Sequence, residues 1–227
     1  MRAGGAVRGR GVALVVAAGL ALTACGDVSP GAAATVDGTK ISRESVDDMA
    51  QAVCTAELTY AELMDQPAQP TPTSIYREIT LSLLINEQLA QEVADRLGAD
   101  VPPSSYQAGQ DAGLEDLFQA LPSSALEPFQ DYVESYSRLQ ATYAAIGAET
   151  GGATGDDPAA AAEAGRAYVA KYAERQDIEI DPRFGGFTDG EVAGGSGSLS
   201  VPVESTASLR PDQPPDVSGL PDSQICQ

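Results

Sequence analysis

The segment Thr73–Leu97, TSIYREITLSLLINEQLAQEVADRL, constrains this chain more than any other. Tyr76, Ile79, Leu83, Ala90, Val93 and Leu97 recur at steps of three and four, with Asn86 alone interrupting the row, which is the spacing of one helix face. Leu81, Leu84, Ile85 and Leu89 widen that stripe until the middle of the helix is apolar on nearly every side. Such a helix has to be covered by other elements. Thr73 is expected to cap its start after the Pro70-Thr71-Pro72 break, and Gly98, with Arg96 in the last turn, to end it.

The neighbouring segments supply the cover. Val36-Asp37-Gly38-Thr39 predicts a strand, an Asp-Gly turn and a return into a helix start at Ser42. Ser42 is a good N-cap, and the stripe Val46, Met49, Val53, Ala56, Tyr60, Leu63 predicts a first helix over 43–65. Beyond the central helix, 105–121 reads as a marginal helix weakened by two glycines. Residues 125–147 form a stronger one, with Phe129, Tyr132, Val133, Tyr136, Leu139, Tyr143 and Ile146 on its buried side. A flexible loop at 147–157 leads to a last helix over 158–176, capped by Asp157 and begun by Pro158. In Asp177-Ile178-Glu179-Ile180-Asp181-Pro182 the period changes to alternation, so the acids fall on the wet side of an edge strand whose natural partner is the strand near Val36. From Gly185 periodicity is lost, and an extended tail is expected apart from a short strand at 199–203.

The 227 residues suit one domain with tails. Arg2, Arg8 and Arg10, the apolar run 12–22 and then Leu22-Thr23-Ala24-Cys25 form an export signal too short to span a bilayer. The Leu-Thr-Ala-Cys ending resembles the lipobox of bacterial lipoproteins, which implies cleavage before Cys25 and diacylation of its thiol; the alternative is a plain secretory signal. Removing residues 1–24 takes away three arginines and no acid, so the formal charge moves from −20 to −23. Nucleic acid is excluded as a partner, because phosphate binding depends on Lys and Arg. Two further cysteines in an exported chain allow one intramolecular pair, Cys54 with Cys226; the alternative leaves one buried and one exposed thiol.

The sequence contains no histidine, which removes Ser-His and Cys-His nucleophile pairs and the usual zinc sites. Asp177, Glu179 and Asp181 lack the loop pattern of an EF-hand, and the glycines at 185–197 have no Gly-Lys-Ser/Thr ending and precede no helix. No metal or cofactor is implied. The tyrosines and large aliphatics read either as helix core or as an apolar groove left open for unfolded polypeptide.

Ala34-Thr35-Val36-Asp37-Gly38-Thr39-Lys40-Ile41-Ser42 ahead of a long helix resembles the opening of the SurA/PrsA class of extracytoplasmic chaperones. Leu83-Leu84-Ile85-Asn86-Glu87-Gln88-Leu89 with the Gly98-Ala99-Asp100-Val101-Pro102 step is similar to that class's core helix and link, and 177–185 to its closing strand. The resemblance spans 34–187. It implies a SurA N-terminal-like, mainly α domain of about five helices, with a small two-stranded β clasp joining the N- and C-terminal parts. The parvulin isomerase domain of those relatives has no counterpart, since 147–157 stands in its place and its histidines are missing. The expected organisation is a signal at 1–24, a tether at 25–33, the chaperone domain at 34–187 and a Gly/Pro-rich tail at 188–227. The expected function is a non-enzymatic, lipid-anchored chaperone on the outer face of the cell membrane, binding unfolded exported proteins through Tyr76, Ile79, Leu83, Phe129, Tyr132 and Tyr136. The competing reading is a scaffolding lipoprotein that docks one folded partner.

Overall fold

A computed structural model describes residues 30–107, 113–151, 157–195 and 217–227. Strand β1 (Ala32–Val36) turns through Asp37 and Gly38, both at positive φ (47° and 81°), into β2 (Thr39–Ser42). That is the Asp-Gly hairpin the sequence predicts. Helix α1 (Arg43–Leu63) starts at Ser42, whose Oγ accepts the Ser45 amide at 3.0 Å. After β3 (Thr71–Pro72) comes α2 (Thr73–Leu97); its N-cap is Pro72, so Thr73 is the first helical residue and not the cap. Gly98 ends α2 in the left-handed conformation (φ 69°), where a Cβ would be strained.

Of the expected third helix the described residues form α3 (Ser104–Gln107) and α4 (Glu115–Ala120), and 108–112 lie outside the described residues. Helix α5 (Ser123–Glu149) begins and ends two residues outside the expected span, and α6 (Pro158–Ala173) stops three residues short of it, with Asp157 Oδ1 accepting the amides of Ala159 and Ala160. Strand β4 (Ile178–Ile180) pairs with β1, the expected partner, and does so antiparallel with Val36 opposite Ile178. The clasp is nevertheless three-stranded, in the order β2-β1-β4, because the Asp-Gly return strand is part of it. Asp181 is not on the wet side: it is buried, it caps the following turn by accepting the Arg183 amide, and it lies 3.8 Å from Arg43.

Residues 185–194, expected to be an extended tail, form regular structure. Strands β5 (Gly185–Thr188) and β6 (Glu191–Gly194) form a hairpin round Asp189 and Gly190, a second Asp-Gly turn with both residues at positive φ. Its Phe187 and Val192 pack into the core. Three polar side chains spaced four apart on α2 receive it: Glu78 Oε1 accepts the Gly195 amide at 2.9 Å, Ser82 Oγ accepts the Val192 amide at 2.8 Å, and Asn86 Nδ2 donates to the Gly190 carbonyl at 2.6 Å. Asn86, the one break in the apolar row, is therefore a docking residue. Burial raises the Glu78 carboxyl above its ordinary pKa, with the Gly195 and Gly194 amides opposing. The strand expected at 199–203 lies outside the described residues.

Strand β7 (Ile225–Cys226) pairs with β3, and Cys226 forms a disulfide with Cys54 of α1. The bond closes a separation of 172 residues; by the loss of chain entropy in the unfolded state, that is worth about 5 kcal/mol. No helix among the described residues is long and apolar enough to cross a membrane.

Helices α5 and α6 approach until backbone meets backbone. A Cβ on Gly147 would overlap the Ala161 carbonyl, and one on Gly165 would overlap the Tyr143 carbonyl. A glycine inside a free helix costs about 1 kcal/mol relative to alanine, so the two glycines are retained against local propensity. Gly165→Ala should therefore destabilise the protein by about 2 kcal/mol or more, overpacking outweighing the propensity gain. Thermal unfolding followed by circular dichroism checks this; a rise in Tm would mean that the helices separate without loss.

Candidate binding surface

The six residues expected to hold a client do not share a surface. Tyr76, Leu83 and Phe129 are buried. Tyr76 lies in the cluster round the disulfide, where its hydroxyl donates to Glu57 Oε2, and burial together with that carboxylate raises its pKa. Leu83 belongs to the main core. Phe129 fills a second cluster between α1, α4 and α5, with Phe118 edge-on at 6.0 Å and Tyr132 stacked at 6.3 Å. Tyr132 is half-buried, and burial raises its phenol pKa. Ile79 and Tyr136 are exposed, 40% and 52%. Cys25 lies outside the described residues.

Tyr168 of α6 is exposed as well, and three further exposed large apolar side chains stand together at the end of α1. The stripe that predicts this helix runs on through Tyr60 and Leu63, but burial stops at Ala56. Past that point the helix outlasts its cover, leaving Tyr60, Leu63 and Met64 exposed by 49%, 46% and 48%. Spaced i, i+3, i+4, they lie on one face. On the opposite side of the helix Leu58, Ala61, Glu62 and Asp65, with Gln66, Pro67 and Ala68 of the following turn, line an open depression of about 400 Å³. The sequence signal was present but ambiguous: periodicity marks an apolar face without saying where its partner stops.

The local structure of this tip is a helix stop of Schellman type. The Gln66 amide donates to the Ala61 carbonyl at 2.8 Å, the Asp65 amide to Glu62 at 3.1 Å, and Asp65 itself sits at φ 51°. Glycine is the usual residue there, because a Cβ costs roughly 1 kcal/mol in that conformation. An acid is also the wrong sign for the negative end of the helix dipole, and the last turn of α1 contains no base to offset it. Two local preferences are thus broken at the place where apolar side chains are exposed.

No protein-family model matches the chain, and no curated protein or solved structure matches it.

Asp65→Gly should stabilise the protein by about 1 kcal/mol, relieving both the left-handed strain and the unfavourable dipole contact. Denaturant unfolding checks this; an unchanged or lowered midpoint would mean that Asp65 makes a compensating interaction.

Proposed function

We propose that the chain is an extracytoplasmic binding module for unfolded exported polypeptides, related in architecture to the SurA/PrsA chaperones and tethered to the membrane by lipid on Cys25. The observation that carries the reading is the uncovered end of α1, where Tyr60, Leu63 and Met64 are exposed on one face of a strongly acidic protein. A large exposed apolar cluster usually marks an interaction site. The architecture supports the family likeness: the first strand is held between its hairpin partner and the strand that follows the last long helix. The close packing of α5 on α6 supports the absence of an inserted isomerase domain, since few residues link the two helices. Its action is binding without covalent chemistry. The acidic surface keeps a loaded complex soluble, and the anchor holds it where exported chains emerge.

A fluorescently labelled chain from Gly26 onward, which contains every described element, is titrated with permanently unfolded polypeptides and with their folded parents. The expected result is binding of the unfolded forms alone, with Kd on the order of micromolar, weakened about tenfold by Leu63→Ser, an exposed position whose change leaves the core intact. Binding of one folded partner with no response to unfolded chains would replace this reading with that of a scaffolding lipoprotein.

A further inference from the structure

We propose that the cleft bounded by α1, β3 and the start of α2 is a binding site for an extended polypeptide segment, filled by residues 217–227 while Cys54 and Cys226 are bonded and opened when a dithiol reduces that bond. Its floor is Ala50, Cys54 and Tyr76, all buried, with Val53 and Leu58 packed against them. Among the described residues 217–227, Cys226 alone is buried. The segment pairs with β3 over two residues, Cys226 opposite Thr71 and Ile225 opposite Pro72. The two larger apolar clusters of described residues take no member from it. Ordering such a segment costs more conformational entropy than one small buried side chain and two ladder positions return. The covalent bond therefore supplies most of the hold.

The cleft is longer than its occupant. Ala50, Cys54, Leu58, Ala61 and Asp65 follow one another along α1 at steps of three and four and share one face. Leu58 belongs both to the cluster round the disulfide and to the wall of the open depression formed with Ala61, Pro67 and Ala68. Because β7 runs antiparallel to β3, a strand continued past Cys226 passes Pro70 and Gln69 toward Ala68 and Pro67, where the depression opens. The seated segment thus defines what fits: an added antiparallel strand with a small apolar side chain among Ala50, Cys54 and Tyr76, followed by larger apolar side chains over Leu58 and Ala61. This face is opposite Tyr60, Leu63 and Met64, so the site does not depend on the reading of that surface.

Opening is a thiol-disulfide exchange. One thiolate of the dithiol attacks a sulfur of the Cys54–Cys226 bond and expels the other cysteine as thiolate. The second thiol of the reductant then resolves the mixed disulfide. The reductant leaves as its own disulfide, and its two protons end on Cys54 and Cys226. Both cysteines are nearly buried, so attack follows parting of the short β3–β7 ladder.

The test uses the chain from Gly26 onward, whose cysteines are Cys54 and Cys226, in oxidised form, after reduction with dithiothreitol, and as the double variant C54S/C226S. On reduction, amide hydrogen exchange should show residues 217–227 losing protection by about a hundredfold while α2 and α5 keep theirs. A labelled extended peptide, Ile-Ala-Val-Thr-Val-Thr, should bind the reduced chain and C54S/C226S about tenfold or more tighter than the oxidised chain. Ala61→Arg should abolish that gain, and Leu63→Ser, on the opposite face, should leave it. Protection of 217–227 that survives reduction, or protection lost throughout the fold, overturns the proposal and makes the bond a structural staple. Equal binding to oxidised and reduced chains, or binding to neither, also overturns it. Dimers of the reduced chain in the absence of peptide would give the cleft to residues 217–227 of a second copy and overturn the proposed occupant.

Discussion

Helix α2 has no wet side along its middle. Leu81, Ile85, Leu89 and Ala90 expose no surface, and Leu83, Val93 and Ala94 very little, so at about 2 kcal/mol for each large side chain removed from water the fold is driven to surround this helix. Helices α1, α5 and α6, strand β1 and the β5–β6 hairpin all pack on it. The cover is not purely apolar. Glu78, Ser82 and Asn86 give the backbone of the hairpin and its exit defined partners, which fixes where a glycine-rich segment can sit when its few side chains cannot.

The two ends of the described chain are drawn into the same unit. β1 is the middle strand of its sheet, and the Asp37 side chain also accepts the Asp177 amide at 3.0 Å, tying the first turn to the segment that leaves α6. The C-terminal residues are held by β3 and by the disulfide to α1. With the core and the described ends closed in this way, apolar side chains are left open where an element extends beyond its cover. The last two turns of α1 do so.

The helices were legible because apolar period, caps and breakers agreed: Ser42, Gly98 and Asp157 do in the structure what their sequence positions predict. The pairing of the strand after α6 with the strand near Val36, and of Cys54 with Cys226, was legible too. The β5–β6 hairpin was not, because glycine and small residues hid the alternation, although Asp189-Gly190 is the same turn signal as Asp37-Gly38. The glycines of α5 and α6 gave no sign that they set the distance between two helices, since a close approach belongs to the partner as much as to the residue.

The site was the least legible part. Tyr76 and Tyr60 stand in apolar stripes of the same period, yet one is core and the other open; the difference is made by how far a neighbouring element extends, which no local pattern records. The most direct test of this account is an amide chemical-shift map of the isotopically labelled chain during titration with an unfolded polypeptide. The account predicts changes concentrated at residues 57–68, with the amides round Leu83 and Phe129 unmoved. Shifts or broadening centred on those core residues, with 57–68 unchanged, would contradict it and show that clients enter by opening the helices.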